Sequence, residues 1–222
     1  DVEGRRVVYI KNSVDLGNIL DFNAEQSKKN LLAGYYDTLK IFDKLDGIRY
    51  FYKKNDKTIA DLKKSLFSDE VIEDIKSCFD KNSLSADNLE TSIREVLPKD
   101  FCKYREIIIP LIESAASLFN LERVKLYDFK DMIEIIYKSF EDLINSQIRE
   151  SDSNDFKDFF NKVKQLNFFD FFNDKTKHNL VLNFLLDDNY IFHIRNLNAL
   201  FDNLLIPTRI LYFVLKRYNN RL

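Results

Sequence analysis

The side chains with which this chain could do chemistry are two histidines, two cysteines and a large set of carboxylates. His178 and His193 are preceded three residues earlier by Lys175 and Tyr190, so the Glu-x-x-His arrangement of di-iron bundles is missing. His-Glu-x-x-His is missing too, and Cys78 and Cys102 stand singly, without the paired spacing of a zinc site. No metal site and no cofactor site is therefore expected. Asp131, Glu134, Glu141 and Asp142 could supply an acid/base pair, but they share the polar side of one helical pattern, which is the ordinary signature of a solvated face. No Ser, Cys and His spacing assembles a nucleophile with its base. These residues point away from an enzyme.

Two clusters suit a partner better than a reaction. Phe168, Phe169, Phe171 and Phe172 place four aromatics within five residues. No single helical face buries all four, so the segment either plugs the core from two sides or leaves part of itself for a partner. Near the other cluster, no acid occurs from Asn203 onward, while Arg209, Lys216, Arg217 and Arg221 do. Arg209 and Lys216 are seven apart and are expected to share a face with Arg217 nearby. Such a face would suit an acidic segment of a partner, anionic lipid or phosphate. Positive charge near a helix C-terminus also complements the helix dipole without any partner.

His193-Ile-Arg195-Asn196 puts Arg-Asn on a late helix and resembles the HEPN ribonucleases, which are helical bundles. The resemblance covers four residues. In that family a histidine follows the arginine by about one turn; here Ala199, Leu200 and Phe201 occupy that region and His193 precedes it. The resemblance implies a nucleic-acid-binding or degenerate nuclease-type helical domain.

The totals bound the class. A hydrophobic fraction of 45% with 32% charged residues is globular, and a net charge of −2 exerts no general pull on nucleic acid. Unpaired-looking cysteines in apolar surroundings, and no Asn-x-Ser/Thr sequon, fit a reducing, cytoplasmic compartment. No run is long enough to span a bilayer, and the first twenty residues carry charges throughout, unlike a signal peptide. The chain opens on Asp1, so a processed form or a piece of a longer chain is expected. The abundance of Lys, Asn, Ile and Phe without Trp is that of A+T-rich coding. All four glycines lie within the first 47 residues, which argues against hairpin-rich or phosphate-cradling architecture beyond them.

The elements that must position these residues read as helices. The most regular stripe runs over 128–150, with Phe129, Met132, Ile133, Ile136, Phe140, Leu143, Ile144 and Ile148 three and four apart and Asp128 as cap. Upstream, RRVVYI at 5–10 could be a short strand or an extended arm. Asn23 and Gln26 resemble a capping box opening a helix over 24–45, with Leu32, Tyr35, Leu39 and Phe42 inward and Asp46-Gly47 as its stop. Residues 48–54 fit either a strand or a helix start. Helices follow over 58–67, after Ser68, and over 85–97. Asp100 is expected to cap a helix over 101–119, kinked or broken near Pro110. Beyond the polar turn 151–155, helices are expected near Phe156, over 180–186, from Tyr190 to Leu205, and over 208–218. No fixed-period repeat occurs.

The expectation is an all-α, irregular multi-helix bundle with room for a short N-terminal β element. It forms one domain, 1–222, or two packed sub-domains, 1–150 and 151–222. The expected function is a non-catalytic protein–protein interaction module, a scaffold or adaptor within a larger intracellular assembly. Its partners would be other protein subunits; nucleic acid and small-molecule ligands are not expected. The alternative is the nucleic-acid-binding or degenerate HEPN-like domain. The partner-binding residues expected are Phe168, Phe169, Phe171, Phe172, Arg209, Lys216 and Arg217.

Overall fold

The structure is a computed structural model that describes residues 8–14, 23–79, 84–147, 185–188 and 191–219. The chain is mostly helical with a small three-stranded sheet. Helix α1 spans Ala24–Ile41 and starts where expected: the Asn23 side chain accepts the Glu25 and Gln26 backbone N–H groups. The reciprocal half of a capping box is not seen among the described residues, and the Gln26 amide N–H donates to Asn30 at 2.9 Å. Helix α1 ends earlier than Asp46-Gly47, at Phe42 and a left-handed Asp43. Strand β1, Leu45–Asp46, then runs antiparallel to β2, Phe51–Lys53, and β2 pairs in parallel with β3, Leu126–Tyr127. The β element therefore lies at these positions, while residues 8–10, the described part of 5–10, are exposed and belong to no strand.

Helix α2, Asp56–Leu66, is capped by Asn55, and α3, Asp69–Ile75, by Ser68. Helix α4, Ala86–Val96, carries a true Ser85/Asn88 capping box. Helix α5, Ile108–Leu118, begins seven residues later than the apolar pattern suggested. A helix running through from 101 would place Pro110 in its interior, without an N–H and against the carbonyl four residues back. Starting at Ile108 puts Pro110 in the first turn, where no donor is needed. Asp100 is thereby released from capping and forms a two-pronged ion pair with Arg49, at 2.8 and 3.0 Å.

Helix α6, Phe129–Gln147, is preceded by Asp128, whose carboxylate accepts the Lys130 N–H. Helix α7 is Ile191–Asn198 and α8 is Leu205–Asn219. Most of the expected inward face of α6 is inward: Phe129, Met132, Ile133, Ile136, Phe140 and Leu143 are buried, Ile144 is half-buried, and Ile148 lies outside the described residues. The hub, however, is the α5–α8 pair. Helix α8 lies along α5 and also touches α2, α3, α4, α6 and α7. Helix α5 can take this place because residues 108–116 present one ionisable side chain, Glu113, among apolar and small ones, and all of them are buried. Phe140 of α6 meets Phe119 edge-on at 5.2 Å and Tyr212 of α8 at 5.3 Å, closing the third side.

Candidate functional site

The turn between β1 and β2 is built around an internal carboxylate. Gly47 holds φ at +113°, and a Cβ there would stand 2.2 Å from the Tyr50 carbonyl oxygen and 2.9 Å from Glu113 Oε1. Only glycine fits. The backbone that follows wraps Glu113 from α5: Ile48 N–H donates to Oε1 and Arg49 N–H to Oε2, each at 2.6 Å. Two N–H groups aimed at two carboxylate oxygens form an anion-binding concavity whose anion comes from the chain itself.

Helix α1 enters the same cluster with its polar residues. Lys40 Nζ donates to the Ile48 carbonyl at 3.1 Å and sits 4.1 Å above the Phe51 ring. Asp37, buried, accepts the Ser13 N–H of the N-terminal arm at 3.0 Å. On the other side, the Tyr104 hydroxyl donates to Asp46, which also accepts the Gly47 N–H. Burial pushes Glu113 up to about 7, against the N–H donations of Arg49 and Ile48 and the charge of Lys40. Burial also lowers Lys40, opposed by Glu113, Asp37 and Asp46. Burial and then the neighbouring charge of Glu113 hold the Tyr52 proton in place well above the usual phenol range. With its carboxylate enclosed and both oxygens engaged, this cluster acts as a tie between α1, the β1–β2 turn and α5.

The outer side of α1 is the reverse of a surface helix. At 3.6 residues per turn, Leu31, Leu32, Tyr35, Leu39 and Phe42 fall within about 100° of arc, opposite Ala33 and Asp37. Leu31, Tyr35 and Phe42 are 79%, 59% and 61% exposed, and Leu39 is half-buried. The expectation that Leu32, Tyr35, Leu39 and Phe42 face inward is thus corrected: the core side of α1 is Ala33, Asp37 and Lys40, because the turn demands polar partners there. Among the described residues, the exposed large hydrophobics other than Ile135 and Phe192 all lie on α1 and its flank or on the arm Val8–Ile10.

No family model matches the chain, and no curated protein or solved structure matches it at a significant level. The site must be read from its own geometry. No group of His, Cys, Asp and Glu among the described residues is placed to hold a metal ion. Cys78 and Cys102 are free thiols; burial raises Cys78 to about 11, opposed by Arg209 and Arg195.

The basic cluster expected near the chain's end is not one surface. Arg209 is fully buried, donating to the Leu185 carbonyl at 2.7 Å and pairing with Asp188. It does not share a solvent face with Lys216, because its position on α8 points into the hub. Lys216 is exposed beside Tyr212, and Arg217 pairs with Glu70 of α3 at 2.6 Å. Phe168, Phe169, Phe171, Phe172 and His178 lie outside the described residues. In α7, His193 and Arg195 are half-buried and Asn196 is exposed, while Asn198 turns inward and accepts the Ile206 N–H that opens α8. Two features escaped the sequence reading. Glu113 carried a signal, a lone acid inside IIIPLIESAASLF, which must be buried and therefore partnered. The outer stripe of α1 carried one as well: Asp37 and Lys40 occupy the side opposite the apolar residues and compete for the core.

Proposed function

We propose that the chain is a non-catalytic helical interaction module that docks protein subunits of a larger assembly through α1. The observation that supports this reading is the apolar outer stripe of a helix whose other side is fixed by the Glu113 tie. Exposed apolar residues in one continuous stripe are the usual mark of a protein-docking surface. A rigid helix presents such anchors with little ordering cost on binding. The nucleic-acid alternative loses support from the burial of Arg209 and the pairing of Arg217 with Glu70, although Lys216 and Arg217 remain candidate contacts for an acidic segment. No helix among the described residues is long and apolar enough to cross a membrane.

A photo-crosslinking amino acid replacing Tyr35 tests the reading in cells, with the same group at exposed Asp61 of α2 as control. A discrete protein adduct from position 35 and none from position 61 is expected. Equal labelling at both positions, or none, overturns it.

A further inference from the structure

We propose that α1, β1 and the turn as far as Arg49 form one latch, pinned by Glu113, that swings off the helical hub as a unit and does so more readily as pH rises. The proposal goes beyond the docking reading of α1 and does not depend on it. The hold on α1 is small for a helix of 18 residues: Ala33 and Asp37 are its buried positions. Its main packing partner is β1, whereas α2, α3, α4, α6 and α7 pack on α8. Its inner ties run to the β1–β2 unit. The Tyr36 ring stands 5.0 Å from Phe51, and Lys40 lies over the Phe51 ring and donates to the Ile48 carbonyl. The other edge of the latch is sharp, because β2 belongs to the hub. Phe51 and Tyr52 are buried, they pair with Leu126 and Tyr127 of β3, and the Tyr52 ring meets Phe129 of α6 at 5.2 Å. Between these two bodies, Ile48 and Arg49 hand their N–H groups to Glu113 of α5.

The groups around Glu113 set the response. Lys40 and Asp37 approach from α1, Asp46 from β1, Tyr50 and Tyr52 from β2, and Tyr104 from the loop before α5. Arg49 turns away to Asp100. Behind α5, Arg209 is spent on Leu185 and Asp188, Arg217 on Glu70, and Lys63 of α2 on Glu106. Lys130, Asp131, Glu134 and Lys138 of α6 are exposed. Lys40 is therefore the cation facing the carboxyl, and enclosure outweighs it together with the two N–H donations. Closed, Glu113 keeps a proton up to about 7; opened to water, it returns toward 4.5. Opening thus releases a proton, and rising pH favours it. Burial lowers Lys40, so its own titration works in the opposite sense, and a Glu113 variant separates the two.

The test is amide hydrogen exchange on the full chain at pH 5, 6 and 7, each rate divided by that of an unstructured peptide at the same pH. Protection of the Ile48 and Arg49 N–H groups should fall roughly thirtyfold from pH 5 to 7, the linkage of one proton. Ile112 of α5 and Leu211 of α8 should stay about tenfold or more better protected at every pH, as a local opening requires. In Glu113→Gln the fall should vanish. An Ala33→Cys chain in a Cys102→Ser background reads the inner side of α1 and leaves Glu113 intact. Its labelling rate, relative to a free thiol, should rise by the same factor, while Cys78, buried in the hub, stays slow. Four results overturn the latch: turn amides no less protected than Ile112 and Leu211, a flat profile from pH 5 to 7, a fall that persists in Glu113→Gln, or labelling at position 33 that does not follow the turn amides.

Discussion

Glu113 is a carboxylate whose environment pulls in two directions. The folded value of about 7 lies above the ordinary 4.5, so the folded chain holds a proton that the unfolded chain releases. The stability this group contributes is complete below about 4.5 and declines as pH rises through about 7. Replacing Glu113 with Gln removes the titration. Urea midpoints of Glu113→Gln should therefore lack this fall between pH 4.5 and 7, and should lie lower overall, since an amide NH2 now meets one of the two backbone donors. An unchanged pH slope would show that Glu113 does not titrate there. Arg209 is the second residue of this kind. Arg209→Met fills the space but leaves the Leu185 carbonyl without its donor, which costs about 1–3 kcal/mol. A denaturant melt within about 0.5 kcal/mol of the parent, the range of surface changes, would return Arg209 to the surface.

Among the elements, helices with a clear apolar period and a recognisable cap were legible. Ser68 opens α3 as read, the helix after Ser85 forms, and the stripe of α6 is buried from Phe129 to Leu143, whereas α2 starts two residues before 58 under an Asn55 cap that was not read. Phe140→Ala should cost about 3–5 kcal/mol, because it empties a site enclosed by Phe119 and Tyr212; a melt within a degree or so of the parent would contradict that enclosure. Two elements were misread, each for its own reason. In α1 the apolar residues were assigned to the core, and in α5 the start was set by a distant acid at Asp100. The first depends on Asp46–Tyr50, whose polar backbone recruits Lys40 and Glu113; the second depends on Pro110, which is tolerated only in the first turn and so leaves Asp100 to Arg49. Periodicity reports burial along one helix; it carries nothing about a turn that arrives from elsewhere and requires hydrogen-bond partners.

At the scale of the molecule, the helical class follows from glycine scarcity and long apolar periods, whereas the pairing of β2 with β3 had no local mark in strands of three and two residues. Charge at this scale sets the last expectation. With a net charge of −2 and Arg209 in the core, labelled oligonucleotides should show no substantial binding at physiological salt. Micromolar binding that collapses as salt rises and vanishes in a Lys216→Ala/Arg217→Ala variant would restore the nucleic-acid reading. The position of α8 has a consequence for how the chain is made. Each helix that packs on α8 precedes it in the chain, so during synthesis α5 leaves the ribosome with its most apolar side uncovered and waits for nearly ninety residues to follow. Over that interval the nascent chain displays Ile108–Ala116 as a sticky, charge-poor segment apart from Glu113, the kind that chaperones hold. Slow elongation between α6 and α8 would lengthen the exposure, and yield in a cell would depend on translation speed through that stretch as well as on the finished fold.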